Sequence, residues 1–312
     1  MVKIRPRIEE DNNQLLLMLK EFNPVILDKT WKDLLWNDFG KGFCSGMVLE
    51  NEGRIEGMLL YIINSPNDSE LVYCNISSWI VNPKFRSHSV KLLTSALEIE
   101  NVVILNLSPH ENTRNLFKVL GFDFLSNYEY RVNPFKLKYN RLFSSSKAKI
   151  IGEKIAPNNL NARVCSKEFK QVFKDHHDYK NVNFYRFEVH KNGNVRSLIL
   201  GFNQKKMQLK GFSELVKTAP YILLNRTFIA ELIYCDDPEL LREFFSDLIL
   251  FFVNNFSIRS VNVSEHFFNK INMDLSFASK EKKDCPWFFY SKEKIEYKDI
   301  NLLYSEKILL NL

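Results

Sequence analysis

"VNPKFRSHSVKLL", Val81 to Leu93, is the stretch whose reading decides the fold. A strand ending at Val81 stops at Pro83, which has no N–H to extend a ladder. The chain then turns beside Arg86 and enters a helix. Backbone that leaves a strand and opens a helix presents unpaired N–H groups and the positive end of the helix dipole, an arrangement suited to phosphate. The glycines that usually let backbone approach a phosphate are missing here, and Ser87, Ser89 and Lys91 stand in their places. Small hydroxyl side chains still let a ligand come close and add donors of their own. Lys91, one turn into the helix, either fills the groove or extends outward to pair with a phosphate.

Working outward, Leu71 to Val81 reads as a long central strand, and the helix runs to about Glu100. Upstream come a short strand at Val2 to Arg5 and a helix with leucines on one face at Gln14 to Glu21. Strands follow at Phe43 to Leu49 and Ile55 to Ile63, joined by a hairpin turn in "ENEG". Downstream, "VVILNL" (Val102 to Leu107) is a continuous apolar run, as expected of a strand covered on both faces. "ENTRNLFKVLGF" reads as a short helix closed by a left-handed cap at Gly121, and a last strand covers Phe122 to about Val132.

From Asn133 to Asn161 periodicity is lost and Ser, Lys, Asn and Pro accumulate, the composition of a linker. Beyond it the same order of elements returns. "FYRFEVHKNGNVRSLILGF" is a hairpin turning at Asn192-Gly193, and "RTFIAELIY" is a strand. "DDPELLREFFSDLILFFVNNF" is a helix with Asp at its start, "IRSVNV" a strand, and "EHFFNKINMDLSF" a short helix with its exit. Ile271-Asn272-Met273 falls where Leu120-Gly121-Phe122 falls in the first half, and Asn is the next-best residue for a left-handed cap. Residue identity between the halves is negligible. The expected division is 1–140, a linker at 141–161, and 162–312, with the two parts folding separately.

A chain of 312 residues with 45% apolar and 26% charged residues has the make-up of a globular protein. The net charge of +6 is scattered rather than gathered in a basic stripe, which argues against nucleic acid as a partner. Five cysteines, odd in number and far apart, show no zinc spacing and read as reduced thiols, so no metal is expected. The N-terminus has no apolar signal core, and the most apolar stretch, Leu248 to Val253, is too short to span a bilayer; a cytoplasmic protein, monomer or homodimer, is expected.

The first half, Val2 to Val132, resembles the GNAT (GCN5-related N-acetyltransferase) acyltransferases. Two motifs carry the resemblance. "SSWIVNPKFRSHSVKLLTSAL" is similar to the family's V-x-P-x-[FY]-[RQ]-x-x-G-x-[GA] coenzyme A motif, with Val81, Pro83, Phe85 and Arg86 in register. "HENTRNLFKVLGF" is similar to its closing helix, with Leu120, Gly121 and Phe122 in register. The resemblance implies an α+β fold of tandem GNAT-like domains, each a mostly antiparallel twisted sheet flanked by helices. It also implies transfer of an acyl group from acetyl-CoA or another acyl-CoA to an amine or hydroxyl of a small-molecule acceptor. Trp79, Ile80 and Val81 would offer backbone to the thioester, Arg86, Ser87, His88, Ser89, Val90 and Lys91 would hold the pyrophosphate, and Phe117 would lie beside the thiol. The other reading is a non-catalytic scaffold or a coenzyme A sensor.

Departures from the family pattern bear on the chemistry. Phe117 stands where many members carry a tyrosine acid, and phenylalanine has no proton to give. Ser77 and Ser78 stand near the usual carboxylate base and are not bases unaided. His110 replaces an asparagine at the entry of the closing helix and is the imidazole expected near the site, a candidate general base. A helix-entry cap is its other role. Cys74 reads as a buried structural thiol, His176-His177 as a polar loop, and Tyr128 or Tyr130 as a substitute proton donor or a packing residue. In the second half "CDDPE" occupies the turn, where two aspartates would repel phosphate and cap the helix instead.

Overall fold

The computed structural model describes residues 1–36, 43–65, 70–132, 134, 136–137, 148–157, 166–179, 181–206, 228–256, 258–271, 278–295 and 300–309. These form two compact units, one of Met1–Leu125 with Cys285–Leu312 and one of Ser126–Asp284.

In the first unit β1 (Val2–Pro6), β2 (Gly46–Asn51), β3 (Arg54–Asn64) and β4 (Val72–Val81) form an antiparallel run. The β2–β3 turn places Glu52 at φ 52° and Gly53 at φ 79°, both left-handed, as a two-residue hairpin requires. The helices α1 (Asn12–Phe22) and α2 (Asp28–Trp36) lie between β1 and β2 in the chain. Their Leu15, Leu19, Trp31 and Leu35 pack with Val48, Met58 and Leu60 on one face of the sheet. On the other face α3 (Ser89–Leu97) sets Leu92, Leu93 and Ala96 against Leu59, Cys74 and Ile76. β5 (Val102–Asn106) is wholly buried and parallel to β4, so α3 serves as the crossover that parallel strands need. α4 (Arg114–Val119) ends at Gly121, φ 82°, with the Phe122 N–H bonded to the Phe117 carbonyl at 3.0 Å.

The next two strands depart from the expected division. β6 (Asp123–Val132) begins in the first unit, but its Glu129–Val132 pair antiparallel with Val261–Ser264 of β11 (Ile258–Ser264) in the second. The strand beside β5 is the end of β12 (Ala278–Ser291), with Phe288 opposite Asn106 and Tyr290 opposite Ile104. The first sheet thus reads β1-β2-β3-β4-β5-β12, and the boundaries 1–140 and 162–312 are replaced by an exchange of final strands. The physical reason is burial: β5 is apolar on both faces and needs a neighbour on its free edge, which Trp287, Phe288 and Phe289 supply.

The second unit repeats the order. β7 (Lys149–Lys154), α5 (Lys167–His176), β8 (Val182–Lys191), β9 (Asn194–Lys206), β10 (Phe228–Cys235), α6 (Pro238–Asn255), β11 and α7 (Glu265–Ile271) follow one another. β7 to β10 are antiparallel neighbours, and β10 and β11 are parallel across the crossover α6. β7 lies inside the span expected to be a linker, so that reading is corrected; its lysines mark an edge strand rather than a tether. Gly152 is needed there, since a Cβ would come within 2.7 Å of Phe251 and 2.8 Å of Phe187. His176 and His177 are also corrected. His176 ends α5, fully buried, in the row Phe169, Val172, Phe173, and His177 follows as its C-terminal cap, stacked on Phe173. The expected cap at Asn272 lies outside the described residues. A short α8 (Glu306–Leu309) closes the chain.

Candidate active site

The central feature of the first unit is a fork between two parallel strands. β4 and β5 pair from Val72↔Val102 to Asn75↔Leu105, and there the ladder stops. β4 continues for six residues, Ile76 to Val81, whereas β5 ends at Asn106, one residue past its last partner. Two features open the fork. Pairing with β3 jumps from Tyr61↔Ile76 to Leu60↔Ser78, which leaves Ser77 as a bulge that re-aims the strand. In addition, the Asn75 side chain accepts the Leu107 N–H at 3.3 Å, so a side chain ends the ladder where a backbone carbonyl would have extended it.

The fork carries open polar groups. Asn75 is 1% exposed and Ser77 4% exposed, and the Asn75 Nδ2, the Ser77 Oγ and the Trp79 Nε1 have no hydrogen-bond partner among the described residues. Buried groups of this kind cost free energy unless something occupies them. Trp79 and Val81 face the α3 side with Leu92 and Leu93, whereas Ile80 packs toward α1 and α2.

At the mouth of the fork the phosphate-type turn is a 3-10 helix, Pro83–His88, that runs directly into α3. Asn82 fixes it. Its backbone N–H donates to the Glu56 carbonyl at 2.8 Å, its Nδ2 donates to Glu56 Oε2 at 2.9 Å, and its Oδ1 accepts the Lys84 N–H at 3.2 Å. Arg86, Ser87, Val90 and Lys91 are exposed, and His88 and Ser89 are half-buried. The Ser89 N–H bonds back to the Arg86 carbonyl, so this glycine-free turn satisfies part of its own backbone and presents its donors mainly through side chains. Lys91 is exposed, whereas Leu92, Leu93 and Ala96 are the buried residues of α3.

Phe117 is fully buried among Trp79, Phe122 and Phe288, with ring centroids 6.2, 4.9 and 5.7 Å away. His110 is exposed and caps the turn at Glu111–Thr113, its Nδ1 accepting the Asn112 N–H at 3.3 Å. A neutral ring that accepts at Nδ1 carries its proton on Nε2, so the outward nitrogen is a donor while the cap is kept. Burial pushes the Cys74 thiol far above the ordinary range, which keeps it an inert thiol. Tyr128 and Tyr130 belong to the second unit, the first under Lys280 and the second against Phe268. Sequence reasoning missed Asn75 and Asn82; an asparagine inside a strand and one before Pro83 were the available signals.

Among the described residues the second unit shows a shorter unpaired stretch. β10 and β11 stay paired through Leu232↔Val263, leaving three residues of β10 beyond. Asp237 caps α6 by accepting the Leu240 N–H at 2.8 Å, and Asp236 accepts the Ile199 N–H at 2.6 Å. Desolvation raises the Asp236 carboxyl to about 6.

The fold as a whole is similar to solved structures. A GCN5-related N-acetyltransferase from Anabaena variabilis superposes with a TM-score of 0.54 at 13% identity, over 93% of this chain and 72% of that one. The chain has the GNAT fold. A conserved Enterococcus faecalis protein of unknown function, described as a probable N-acyltransferase, matches with a TM-score of 0.54 at 10% identity over 93% and 72%. A Kribbella flavida GCN5-related N-acetyltransferase matches with a TM-score of 0.50 at 10% identity over 93% and 71%. The likeness covers both units of the GNAT-fold chain rather than the first alone. No protein-family model and no curated protein matches the sequence. Among the described residues no group of three His, Cys, Asp or Glu side chains is placed to hold a metal ion, and no helix is long and apolar enough to cross a membrane.

Proposed function

We propose that the chain is an acyl-coenzyme A-dependent acyltransferase whose site is the β4–β5 fork of the first unit. The observation that carries the reading is the six-residue stretch of β4 beyond its last β5 partner, lined by the open Asn75 and Ser77 groups and ending at the turn with Arg86. The residues fit such a co-substrate. β4 beyond Asn75 has no β5 partner, which would leave its edge to an extended pantetheine arm, and Arg86, Ser87 and Lys91 are exposed in the turn that follows for the pyrophosphate.

In this reading a backbone N–H between Trp79 and Val81 polarises the thioester carbonyl. An amine or hydroxyl attacks the carbonyl carbon and loses its proton to solvent water, the C–S bond breaks, and the thiolate leaves and is protonated from solvent. Phe117 has no proton to offer, but a thiolate leaves without one far more readily than an alkoxide. Most of the rate then comes from positioning and carbonyl polarisation. His110, with its proton held on Nε2 by the cap, fits a donor or a structural role better than the general base expected from sequence.

The first test is release of free thiol from acetyl-coenzyme A against a panel of amines and sugar hydroxyls, with a thermal-shift scan over acyl chain lengths in parallel. Acceptor-dependent thiol release supports transfer. A second reading, a binding protein without turnover, is favoured by the burial of Phe117 where a proton donor would stand; acyl-coenzyme A stabilisation without thiol release from any acceptor would establish it.

A further inference from the structure

Two buried donors at the inner end of the fork have no hydrogen-bond partner among the described residues. Asn75 is the last β4 residue with a β5 partner, and its side chain reaches past the end of the ladder to accept the Leu107 N–H. That bond settles which amide atom is which: Oδ1 faces Leu107, so the other atom is the Nδ2 donor. The planar amide is held through one atom and leaves the other open. Ser77, two residues on, is the bulge residue without a β3 partner, and its hydroxyl is open too. Both side chains are buried, whereas Trp79, Ile80 and Val81 are half-buried, so exposure rises outward along β4 toward the turn at Pro83–His88.

The surroundings restrict what could meet these donors. Asn75 shares its face of the sheet with Tyr73 and with Leu105 opposite it, and these pack with Val103, Leu107, Trp287 and Phe289. A charged ligand group would lose its hydration in such apolar company, so the fitting partner is an uncharged oxygen. An alkyl group in the same place would bury both donors unpaired, which is unfavourable relative to an oxygen of similar size. In the proposed reaction the thioester carbonyl already takes a backbone N–H between Trp79 and Val81. An arm that begins at the turn runs inward along β4, so its acyl end is the part that comes toward Ser77 and Asn75.

We infer that the donor's acyl group carries an uncharged oxygen beyond the thioester carbonyl, of the hydroxyacyl or ketoacyl class, and that Asn75 Nδ2 and Ser77 Oγ hold it. The inference rests on the fork being the acyl-coenzyme A site. It concerns binding, and so holds with or without turnover. Ser77 supplies a hydroxyl that donates or accepts, and Asn75 a donor whose direction the Leu107 bond fixes.

The test is calorimetric titration of the full chain with butyryl-, β-hydroxybutyryl-, acetoacetyl- and succinyl-coenzyme A, repeated in Ser77→Ala and Asn75→Asp. Asn75→Asp keeps an oxygen for the Leu107 N–H and removes the donor. Removing an unpaired hydroxyl takes no bond from the fold, so Ser77→Ala should keep the wild-type urea midpoint, and it keeps the test valid if Asn75→Asp does not fold. The expected result is that wild type binds the hydroxybutyryl or acetoacetyl form about tenfold or more tightly than the butyryl form, with the charged succinyl form weakest. Each variant should bring that preference below about threefold. Butyryl- or succinyl-coenzyme A as the tightest ligand of wild type would overturn the inference and leave the acyl-coenzyme A site standing. So would a preference that survives intact in Ser77→Ala, or an equal loss for every ligand, which would put the donors on the part of the co-substrate they share. No binding of any of them to wild type would overturn the inference and the site together.

Discussion

Phe288 lies in the C-terminal strand, yet it is a core residue of the N-terminal unit, and replacing it with alanine should unsettle residues far away in sequence. The ring is fully buried, stacked 5.7 Å from Phe117 and tilted against Phe124 at 5.0 Å, with its backbone opposite Asn106 of β5. Removing a buried phenylalanine costs about 3–5 kcal/mol, counting lost transfer energy and the cavity left behind. Against a typical total of roughly 5–15 kcal/mol, that lowers the folded-to-unfolded ratio by about 10²- to 10⁴-fold. With a urea slope near ~2 kcal/mol per molar the midpoint falls by about 2 M. The assay is favourable because all four tryptophans, Trp31, Trp36, Trp79 and Trp287, lie in this unit, so their fluorescence follows it alone. Urea titrations of wild type, Phe288→Ala and a fragment of residues 1–140 should show a large loss in the variant and no cooperative transition in the fragment. A fragment that unfolds cooperatively at the wild-type midpoint would refute the exchange of strands.

Other outcomes follow from single residues. Gly121→Ala should destabilise by about 1 kcal/mol in calorimetry, because φ 82° strains any residue with a Cβ. Asp236 has a folded-state carboxyl raised to about 6, so the folded state binds a proton more tightly than the unfolded chain does, and stability falls as pH rises from about 4 to about 6. With screening at this partly exposed site the fall is about 1–2 kcal/mol, and Asp236→Asn should flatten that part of a stability-versus-pH curve. His110→Ala should change turnover by less than about threefold and leave its pH profile in place; a loss near ~10²-fold would establish His110 as a general base.

Much of both units was legible because local chemistry decides it. Glu52-Gly53 and Asn192-Gly193 needed left-handed backbone and announced their hairpins, Gly121 announced the end of α4, and Pro83 the end of β4. The repeated order of elements was readable for the same reason. The exchange of β6 and β12 was not, since an alternating strand shows that it needs a neighbour without saying which. β7 was hidden by its lysines, which suit an edge strand and a tether equally well. His176 was hidden by its polar neighbours, although Phe169, Val172 and Phe173 precede it at helical spacing. At the site, the turn from Arg86 to Lys91 was visible as a motif, whereas the fork depends on where a ladder stops, a property of two strands together.

The central claim is that the fork and its turn bind acyl-coenzyme A, and calorimetric titration of acetyl-coenzyme A into wild type and Arg86→Glu tests it most directly. Arg86 is exposed, so the reversal should leave the urea midpoint of the tryptophan signal unchanged and any effect can be read as binding. Removing one charge-assisted phosphate contact and adding a repulsive one should weaken binding by roughly 10- to 100-fold, more at low salt than at high. Binding to wild type with that loss in the variant is the predicted result. No heat of binding to wild type, or equal affinity in the two proteins, would contradict the account.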